Sequence, residues 1–243
     1  MPRYFVYFSY DGTRYHGWQI QPNGVSVQAV LQDSLSILLR TPVDVTGAGR
    51  TDAGVHAKMM VAHFDFLSEL DAKQLAYRLN HLLPSDIAVQ KIEPVDSEMH
   101  ARFSAVSRTY HYYIHTTKDP FARSYSLETH YDLDFEAMNQ AAAFLTTQTD
   151  FASFCKTGAD VKTTICHLTE ARWEQIDEHK WRFVITANRF LRNMVRAVVG
   201  TLIEVGRRRL SLDDFKAVVE AKKRTSAGES MPAHALFLVD IQY

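Results

Sequence analysis

The order in which hydrophobic patterns follow one another constrains the fold of this chain more than any other feature. In the first half these patterns predict strands at 4–10, 43–46, 58–66 and 87–92 and helices at 27–39 and 71–83. Along the chain, these elements follow the order β-α-β-β-α-β. That order is typical of the ferredoxin-like split unit.

The second half repeats this order. The predicted elements are a strand near 126–131, a helix at 134–145, strands near 163–176 and 180–188, a helix at 190–205, an added helix after Ser211 and a last strand at 236–241. A long strand at 106–116 runs between the halves, and Arg108, Tyr110, Tyr112 and Ile114 share one of its faces. The sequence therefore predicts an α+β protein of two fused ferredoxin-like lobes, 1–105 and 106–243, with a cleft at their junction.

Capping residues mark where three of the helices begin. Ser26 precedes the first helix, and Asp71, with Gln74 three residues later, precedes the second. Ser211 and Asp214 have the same spacing before the added helix. These positions predict the helix starts.

The segment 47–57, Gly-Ala-Gly-Arg-Thr-Asp-Ala-Gly-Val-His-Ala, joins two predicted strands and carries an acid, a base and a histidine among three glycines. Glycine lets a backbone approach a ligand closely or adopt positive φ. The segment is not a phosphate-binding P-loop, because no Lys-Ser or Lys-Thr follows the glycines. A tight turn closed by a local Arg50–Asp52 pair is one interpretation. The other is chemical: an arginine nearby would keep Asp52 ionised, as a nucleophile, a base or a metal ligand.

Composition and cysteine usage exclude several classes of protein. No apolar run reaches membrane-spanning length, and the N-terminus enters a strand without a basic leader, so we expect a cytoplasmic protein. Cys155 and Cys166 lack partners at zinc-like spacing, which predicts free thiols. Eleven histidines are scattered without a metal-binding motif, so no metal is expected.

The net charge of −1 argues against a polyanionic partner, but a sum over the whole chain hides local patches of charge. Positive residues cluster late in the chain, at Arg189, Arg192 and Arg196, at Arg207 to Arg209, and at Lys222 to Arg224. A solvated surface is the simplest interpretation of any one run. Three runs in one segment predict a basic face if folding brings them together.

Several motifs occur in one order over most of the chain. They are Tyr7-Phe8-Ser9-Tyr10-Asp11-Gly12-Thr13, Tyr15-His16-Gly17-Trp18-Gln19, Gly49-Arg50-Thr51-Asp52-Ala53-Gly54-Val55-His56, His100-Ala101-Arg102-Phe103-Ser104-Ala105, Arg108-Thr109-Tyr110-His111-Tyr112-Tyr113-Ile114, Asp150-Phe151-Ala152-Ser153-Phe154 and Phe190-Leu191-Arg192-Asn193-Met194-Val195-Arg196. In content and order they resemble the TruA family of tRNA pseudouridine synthases.

The resemblance implies an isomerase that converts uridine to pseudouridine in the anticodon stem-loop of tRNA, at tRNA positions 38, 39 and 40. It also implies that the two lobes share one extended, mainly antiparallel sheet around a central basic cleft, and that the protein is a homodimer. The reaction breaks the C1′–N1 bond and forms a C1′–C5 bond without a redox change, so we expect neither a cofactor nor a metal. Attack of a carboxylate on C1′, attack on C6 and elimination to a glycal all stay open.

The resemblance also assigns roles to residues. Asp52 is the catalytic aspartate, and Arg50 pairs with it or fills the gap left by the flipped nucleotide. Tyr110 stacks on the uracil, and its hydroxyl is available for proton transfer at C5. Arg196, on the polar side of its predicted helix, faces the aspartate.

In the last strand, Leu236 lines the uracil pocket by the same resemblance. Its neighbours Ala235 and Phe237 depart from the family's usual glycine and tyrosine, which leaves the backbone path beside the pocket open. His56, in the glycine-rich segment, is expected only to hold the loop through a polar contact.

Two other functions compete with this one. A non-catalytic RNA-binding or RNA-chaperone protein could keep the fold without turnover, but Arg50, Asp52 and Tyr110 together count against it. A nucleotide-binding enzyme could use the glycine loop for phosphate, but the Lys-Ser/Thr chemistry is missing.

Overall fold

The computed structural model describes residues 1–159 and 161–243, and their contacts divide them into two compact units. The first contains Met1–Val106 and Phe237–Tyr243, and the second contains Ser107–Leu236. The predicted lobes divide at 105/106 but keep the last strand in the second lobe. In the structure that strand groups with the first unit because it pairs with a strand there.

The first unit has the predicted β-α-β-β-α-β order. Its elements are β1 (Arg3–Tyr10), α1 (Val27–Leu39), β2 (Thr46–Gly47), β3 (His56–Asp65), α2 (Ala72–Leu82) and β4 (Ile87–Val95). β1 lies between β4 and β3, and β2 pairs with β3, all antiparallel. The last strand of the chain (Leu236–Gln242) runs parallel to the start of β3, with His56 opposite Phe237. The glycine-rich segment connects β2 to β3, which are paired strands of one sheet.

The second unit contains β5 (Ser107–His115), β6 (Leu127–Glu128), α3 (Phe135–Leu145), β7 (Leu168–Asp177), β8 (Lys180–Ala187), α4 (Met194–Gly206) and α5 (Leu212–Glu220). The strand that ends the chain is numbered β9. β8 pairs antiparallel with both β5 and β7. The α+β class and the mainly antiparallel pairing are confirmed.

One predicted strand does not have its expected role. The first strand of the second unit is β5, rather than the strand predicted at 126–131. β5 pairs with β8 from Arg108 to His115. The region 126–131 forms only two residues of strand, β6, beside the end of β5. The strand predicted between the halves is therefore the first strand of the second unit.

The helix starts agree with the predicted caps. The side chains of Ser26 and Asp71 accept hydrogen bonds from the backbone N–H groups of Ala29 and Gln74. Ser211 and Asp214 form a complete capping box. These bonds satisfy N–H groups that the first turn of a helix leaves without partners.

α4 differs from the prediction in its start and its surroundings. It begins at Met194 rather than at 190, because Asn193 has a φ of 66°, outside the helical region. Eleven of its thirteen residues are buried, and the exceptions are Arg196 and Glu204. The helix therefore has no solvated polar side, and Arg196 is half-buried within a core element.

Candidate active site

The backbone of the loop between β2 and β3 is held by the segment that follows β1. The carbonyl of Thr51 accepts from Trp18 N–H at 3.3 Å, and Gly54 N–H donates to the carbonyl of Tyr15 at 3.3 Å. Val55 N–H donates to the carbonyl of Asp52 at 3.1 Å, which closes a turn with Gly54 at a φ of 78°. Asp52 therefore stands at the start of a tight turn that is tied to a second segment.

Two glycines explain why that second segment can approach so closely. A Cβ atom on Gly12 would lie 2.0 Å from the carbonyl oxygen of Val55. One on Gly17, which has a φ of 85°, would lie 2.3 Å from the carbonyl oxygen of Thr51. Both positions thus require glycine, and the motifs at 7–19 and 49–56 form one interlocked structure.

Buried polar side chains also attach the loop between β2 and β3 to β1 and the segment that follows it. The hydroxyls of Tyr10 and Thr51 lie 2.8 Å apart, and Thr51 is buried. The Nδ1 atom of His56 accepts from Gly12 N–H at 3.0 Å, and the imidazole stacks on Phe237 with ring centroids 4.6 Å apart. His56 is 1% exposed. Its expected role in holding the loop is confirmed.

The two charged groups of the loop have different environments. Asp52 is half-buried and Arg50 is exposed. Over residues 1–159 and 161–243, Arg50 takes part in no ion pair, so of the two alternatives for Arg50 the local pair with Asp52 is not formed. The two side chains leave a turn in directions that its backbone decides, and two-residue spacing does not bring them together. Arg50 instead presents its guanidinium to solvent.

Tyr110 lies on β5 opposite Ile185 of β8 and is 9% exposed. The ring of Phe190 meets it edge-on, with centroids 5.1 Å apart and planes at 83°. Edge-to-face contact is a favoured aromatic geometry and restricts how the tyrosine ring can turn. Sequence reasoning assigned no role to Phe190, although it opens the motif at 190–196.

Arg196 is held by main-chain groups of the segment before β9. Its Nε atom donates to the carbonyl of Met231 at 2.6 Å, and Met231 N–H donates to the carbonyl of Arg196 at 3.1 Å. Because Nε lies in the guanidinium plane, this bond fixes the orientation of the whole group.

Leu236 begins β9 and is 5% exposed. Ala235 before it is fully buried and is not among the residues with positive φ, so its methyl group adds no backbone strain. Phe237 after it stacks on His56. Both departures from the family pattern are therefore accommodated without distortion of the backbone.

Comparison with known proteins assigns the chain to a family. A family model described as tRNA pseudouridine synthase matches residues 6–104 and 141–243. The chain belongs to this family. It is 56% identical to the tRNA pseudouridine synthase A of Bacteroides fragilis over 242 residues, which cover 99% of this chain and 96% of the relative. For the protein of that name from Parabacteroides distasonis the identity is 57%, covering 100% and 96%, and for that from Bacillus subtilis it is 40%, covering 97% and 96%.

A tRNA pseudouridine synthase needs positive charge for its polyanionic substrate, yet many of the late cations have acidic partners. Glu204 lies 2.8 Å from Arg207 and 3.5 Å from Arg209, and Asp134 lies 3.8 Å from Arg208. Lys222 lies 3.0 Å from Asp150. Among the described residues, four of the nine cations in the three runs therefore have a carboxylate within 4 Å that offsets part of their field, and the single basic face stays a prediction.

Cys155 and Cys166 are free thiols, as expected, and burial raises the pKa of Cys166 to about 11, which makes it a poor nucleophile near neutral pH.

Across residues 1–159 and 161–243, no three His, Cys, Asp or Glu side chains are grouped so that they could hold a metal ion, and no helix is long and apolar enough to cross a membrane.

The residues expected to form the site are divided between the two units. Asp52 and Arg50 belong to the first unit, and Tyr110, Arg196 and Leu236 belong to the second. Each has a defined local environment within its own unit.

Proposed function

We propose that this family member isomerises uridine to pseudouridine in the anticodon stem-loop of tRNA, at tRNA positions 38, 39 and 40. Family membership supports the reaction, and the relatives' printed names support tRNA as the substrate. The observation that carries the proposal is the Asp52 turn, whose backbone is tied to the segment 12–18 and whose carboxylate is half-buried.

Asp52 acts on the target nucleotide as a nucleophile at C1′ or C6, or as the base of an elimination. Each route breaks the C1′–N1 bond, turns the uracil, forms the C1′–C5 bond and releases the C5 hydrogen as a proton. N1, freed from the sugar, takes up a proton as C5 loses one. The uridine supplies every heavy atom of the product, so the chemistry needs only a placed carboxylate and a group that moves a proton.

The other residues handle the extruded nucleotide. Arg50, which is exposed, enters the gap that the flipped nucleotide leaves and offsets part of the cost of unstacking, a few kcal/mol. Tyr110 stacks on the uracil and its hydroxyl takes part in proton transfer at C5. Arg196 faces the carboxylate of Asp52, and Leu236 lines the pocket.

The same family resemblance leads us to propose a homodimer that works in the cytoplasm, where its tRNA substrate is found. Recognition by shape and backbone suits a stem of A-form RNA, because side chains cannot read its deep, narrow major groove.

Release of tritium from C5-labelled uridine in tRNA tests the proposed function. The parent protein should release the label, and Asp52→Asn should bind tRNA equally well but release none, because an amide is a poor nucleophile and a poor base. Asp44→Asn, which alters an exposed carboxylate before the same loop, is the matched control and should keep parent activity.

Two results would contradict the proposal. Product formation by Asp52→Asn above a few per cent of the parent rate would remove Asp52 from the chemistry. Binding of tRNA by the parent without any tritium release would favour an RNA-binding protein that lacks turnover.

A further inference from the structure

Residues 227–232, called the strap below, connect a short 3-10 turn (Arg224–Ser226) to the segment that leads into β9. Its side chains alone suggest an ordinary surface loop. Its hydrogen bonds, however, join Arg224 at one end to Arg196 at the other, and every residue involved belongs to the second unit.

Arg224 uses its guanidinium inside the molecule. Its Nη1 atom donates to the carbonyl of Gly228 at 2.9 Å and to that of Ala227 at 3.3 Å. Its Nη2 atom donates to the hydroxyl of Ser230 at 2.9 Å. The planar fork serves these acceptors from two separate nitrogens, whereas a lysine ammonium has all its donors on one nitrogen.

The strap is also fastened to α4. The Nδ2 atom of Asn193 donates to the Ser230 hydroxyl, and Gly228 N–H donates to Thr201 Oγ1 at 3.0 Å. A Cβ atom on Gly200 would lie 1.8 Å from the carbonyl oxygen of Glu229, so the two backbones pass as closely as glycine allows. The strap therefore has little freedom to shift along the helix.

The next residue along the strap holds Arg196. Met231 accepts from Arg196 Nε at 2.6 Å and donates its N–H to the carbonyl of Arg196 at 3.1 Å. The following carbonyl, that of Pro232, accepts from the Tyr112 hydroxyl at 3.0 Å. Ser230 and Met231 are consecutive, so displacement of Ser230 moves the group that orients Arg196.

We propose that Arg224 is a positioning residue that sets the orientation of the Arg196 guanidinium through Ser230 and Met231. The inference rests on the proposed function only in so far as Arg196 takes part in the reaction. Lys222 and Lys223, which complete the same run of positive charge, are exposed, whereas Arg224 is half-buried. This contrast distinguishes an internal anchor from a solvated cation.

Loss of the anchor should affect turnover more than tRNA binding. A misplaced guanidinium weakens transition-state contacts, and a shift of about 1 Å can cost about 100-fold in rate. We expect Arg224→Ala and Arg224→Lys to lower kcat by about 10- to 100-fold with KM for tRNA changed less than about threefold. Lys216→Ala, which removes a positive charge from α5 of the same unit, should leave both unchanged.

A double-mutant cycle tests whether Arg224 acts through Arg196. Arg196→Lys removes the Nε bond to Met231, so adding Arg224→Ala to it should lower kcat by less than about twofold more. Millimolar guanidinium ion should partly restore kcat in Arg224→Ala but not in Arg224→Ala combined with Arg196→Lys. A full multiplicative loss in the double variant, or parent kcat in Arg224→Ala, would overturn the proposal.

Hydrogen exchange supplies a readout that needs no activity. Arg224→Ala should speed exchange at the Met231 and Gly228 amides while the amides of β5 and β8 keep parent rates. If Arg224→Ala folds poorly, Ser230→Ala removes only the hydroxyl between Arg224 and Asn193 and should show the same local effect. Unchanged exchange at Met231 in both variants refutes the positioning role. A parent that forms no pseudouridine refutes the proposed function instead.

Discussion

At the scale of single residues, Asp52 and the residue before it have opposite tasks. Asp52 is half-buried at the start of its turn, whereas Thr51 points its hydroxyl into the protein, 2.8 Å from that of Tyr10. A substitution at 51 is therefore expected to act on stability, whereas one at 52 tests the chemistry proposed for Asp52. Adjacent positions in one motif thus require different measurements.

Thr51→Ala should lower the free energy of unfolding by about 1–3 kcal/mol, because it leaves the hydroxyl of Tyr10 without this partner at a buried position. Urea unfolding measures the change. Thr51→Ser, which keeps the hydroxyl, should recover most of it. Equal stability of the Ala variant and the parent would show that the contact contributes nothing net.

Tyr110→Phe should separate stacking from proton transfer. The ring and its edge contact with Phe190 remain, so tRNA affinity should stay within about twofold, while turnover should fall by about 100-fold if the hydroxyl moves the C5 proton. Single-turnover rates and filter binding measure the two effects. Tyr77→Phe, at an exposed position, is the control. Parent turnover in Tyr110→Phe would leave stacking as its sole role.

How much of the site can be predicted from the sequence depends on which hydrogen-bond partners each residue has. The sequence predicts that His56 only holds the loop through a polar contact, and it makes such a contact with Gly12 N–H at 3.0 Å. The anchoring by Arg224 could not be predicted, because its partners are mostly main-chain carbonyls, which every sequence offers. The sequence leaves the Arg50–Asp52 pair as one of two alternatives, because residue spacing in a turn does not report side-chain direction.

At the scale of elements, helices were more predictable than strands. Ser26, Asp71 and Ser211 fix helix starts by bonds within the first turn, so local sequence is sufficient. A strand's role depends on distant partners. From the sequence, the strand at 126–131 is predicted to be the first strand of the second unit, and β5 is predicted to lie between the halves. A hydrophobic pattern indicates that a segment is a strand, but it does not indicate which strand pairs with it.

Glycines of the loop between β2 and β3 should differ sharply in their tolerance of alanine. Gly54→Ala forces a side chain onto a φ of 78° and should cost about 1–2 kcal/mol of unfolding free energy. Gly49→Ala meets nothing within 4 Å and is not at positive φ, so it should stay within about 0.5 kcal/mol of the parent. Chemical denaturation compares them. Equal costs would mean that backbone conformation does not decide tolerance here.

At the scale of the whole molecule, acid should destabilise the protein before its carboxylates titrate. Burial, followed by repulsion from Arg3 and His100, lowers the pKa of His63 to about 4, against 6.5 in the unfolded chain. The unfolded state therefore binds more protons between these values, and stability is lost as pH falls from about 6.5 towards 4. The full effect is about 3 kcal/mol.

Unfolding free energies at about pH 7.5 and pH 5 test this, and the parent should lose about 2 kcal/mol between them. His63→Gln cannot take up the proton, while its amide oxygen can accept from Ala101 N–H as the imidazole does at 3.2 Å. The His63→Gln variant should therefore lose less unfolding free energy between the two pH values. The loss that remains is attributed to His100, whose pKa is also lowered by burial. The same loss in both proteins would assign the acid sensitivity elsewhere.

Binding of tRNA as a function of salt shows which cations meet the polyanion. Each phosphate neutralised contributes about 0.7–0.9 to the slope of log affinity against log salt. The sequence alone favours a large contribution from Arg207, Arg208 and Arg209, whose loss should flatten the slope. In the structure each has a carboxylate within 4 Å, which offsets part of its field, so we expect the triple alanine variant to change the slope by less than about one.

A second triple variant, which also removes three positive charges, is the control for the loss of the three arginines. Lys118, Arg123 and Lys156 are exposed, and within residues 1–159 and 161–243 no carboxylate pairs with them. Their replacement by alanine should change the slope at least as much as loss of the three arginines, because uncompensated charge contributes more to the field that a polyanion meets. A fall in slope of about two or more on loss of the three arginines alone would mean that tRNA displaces Glu204 and Asp134 and uses that run directly.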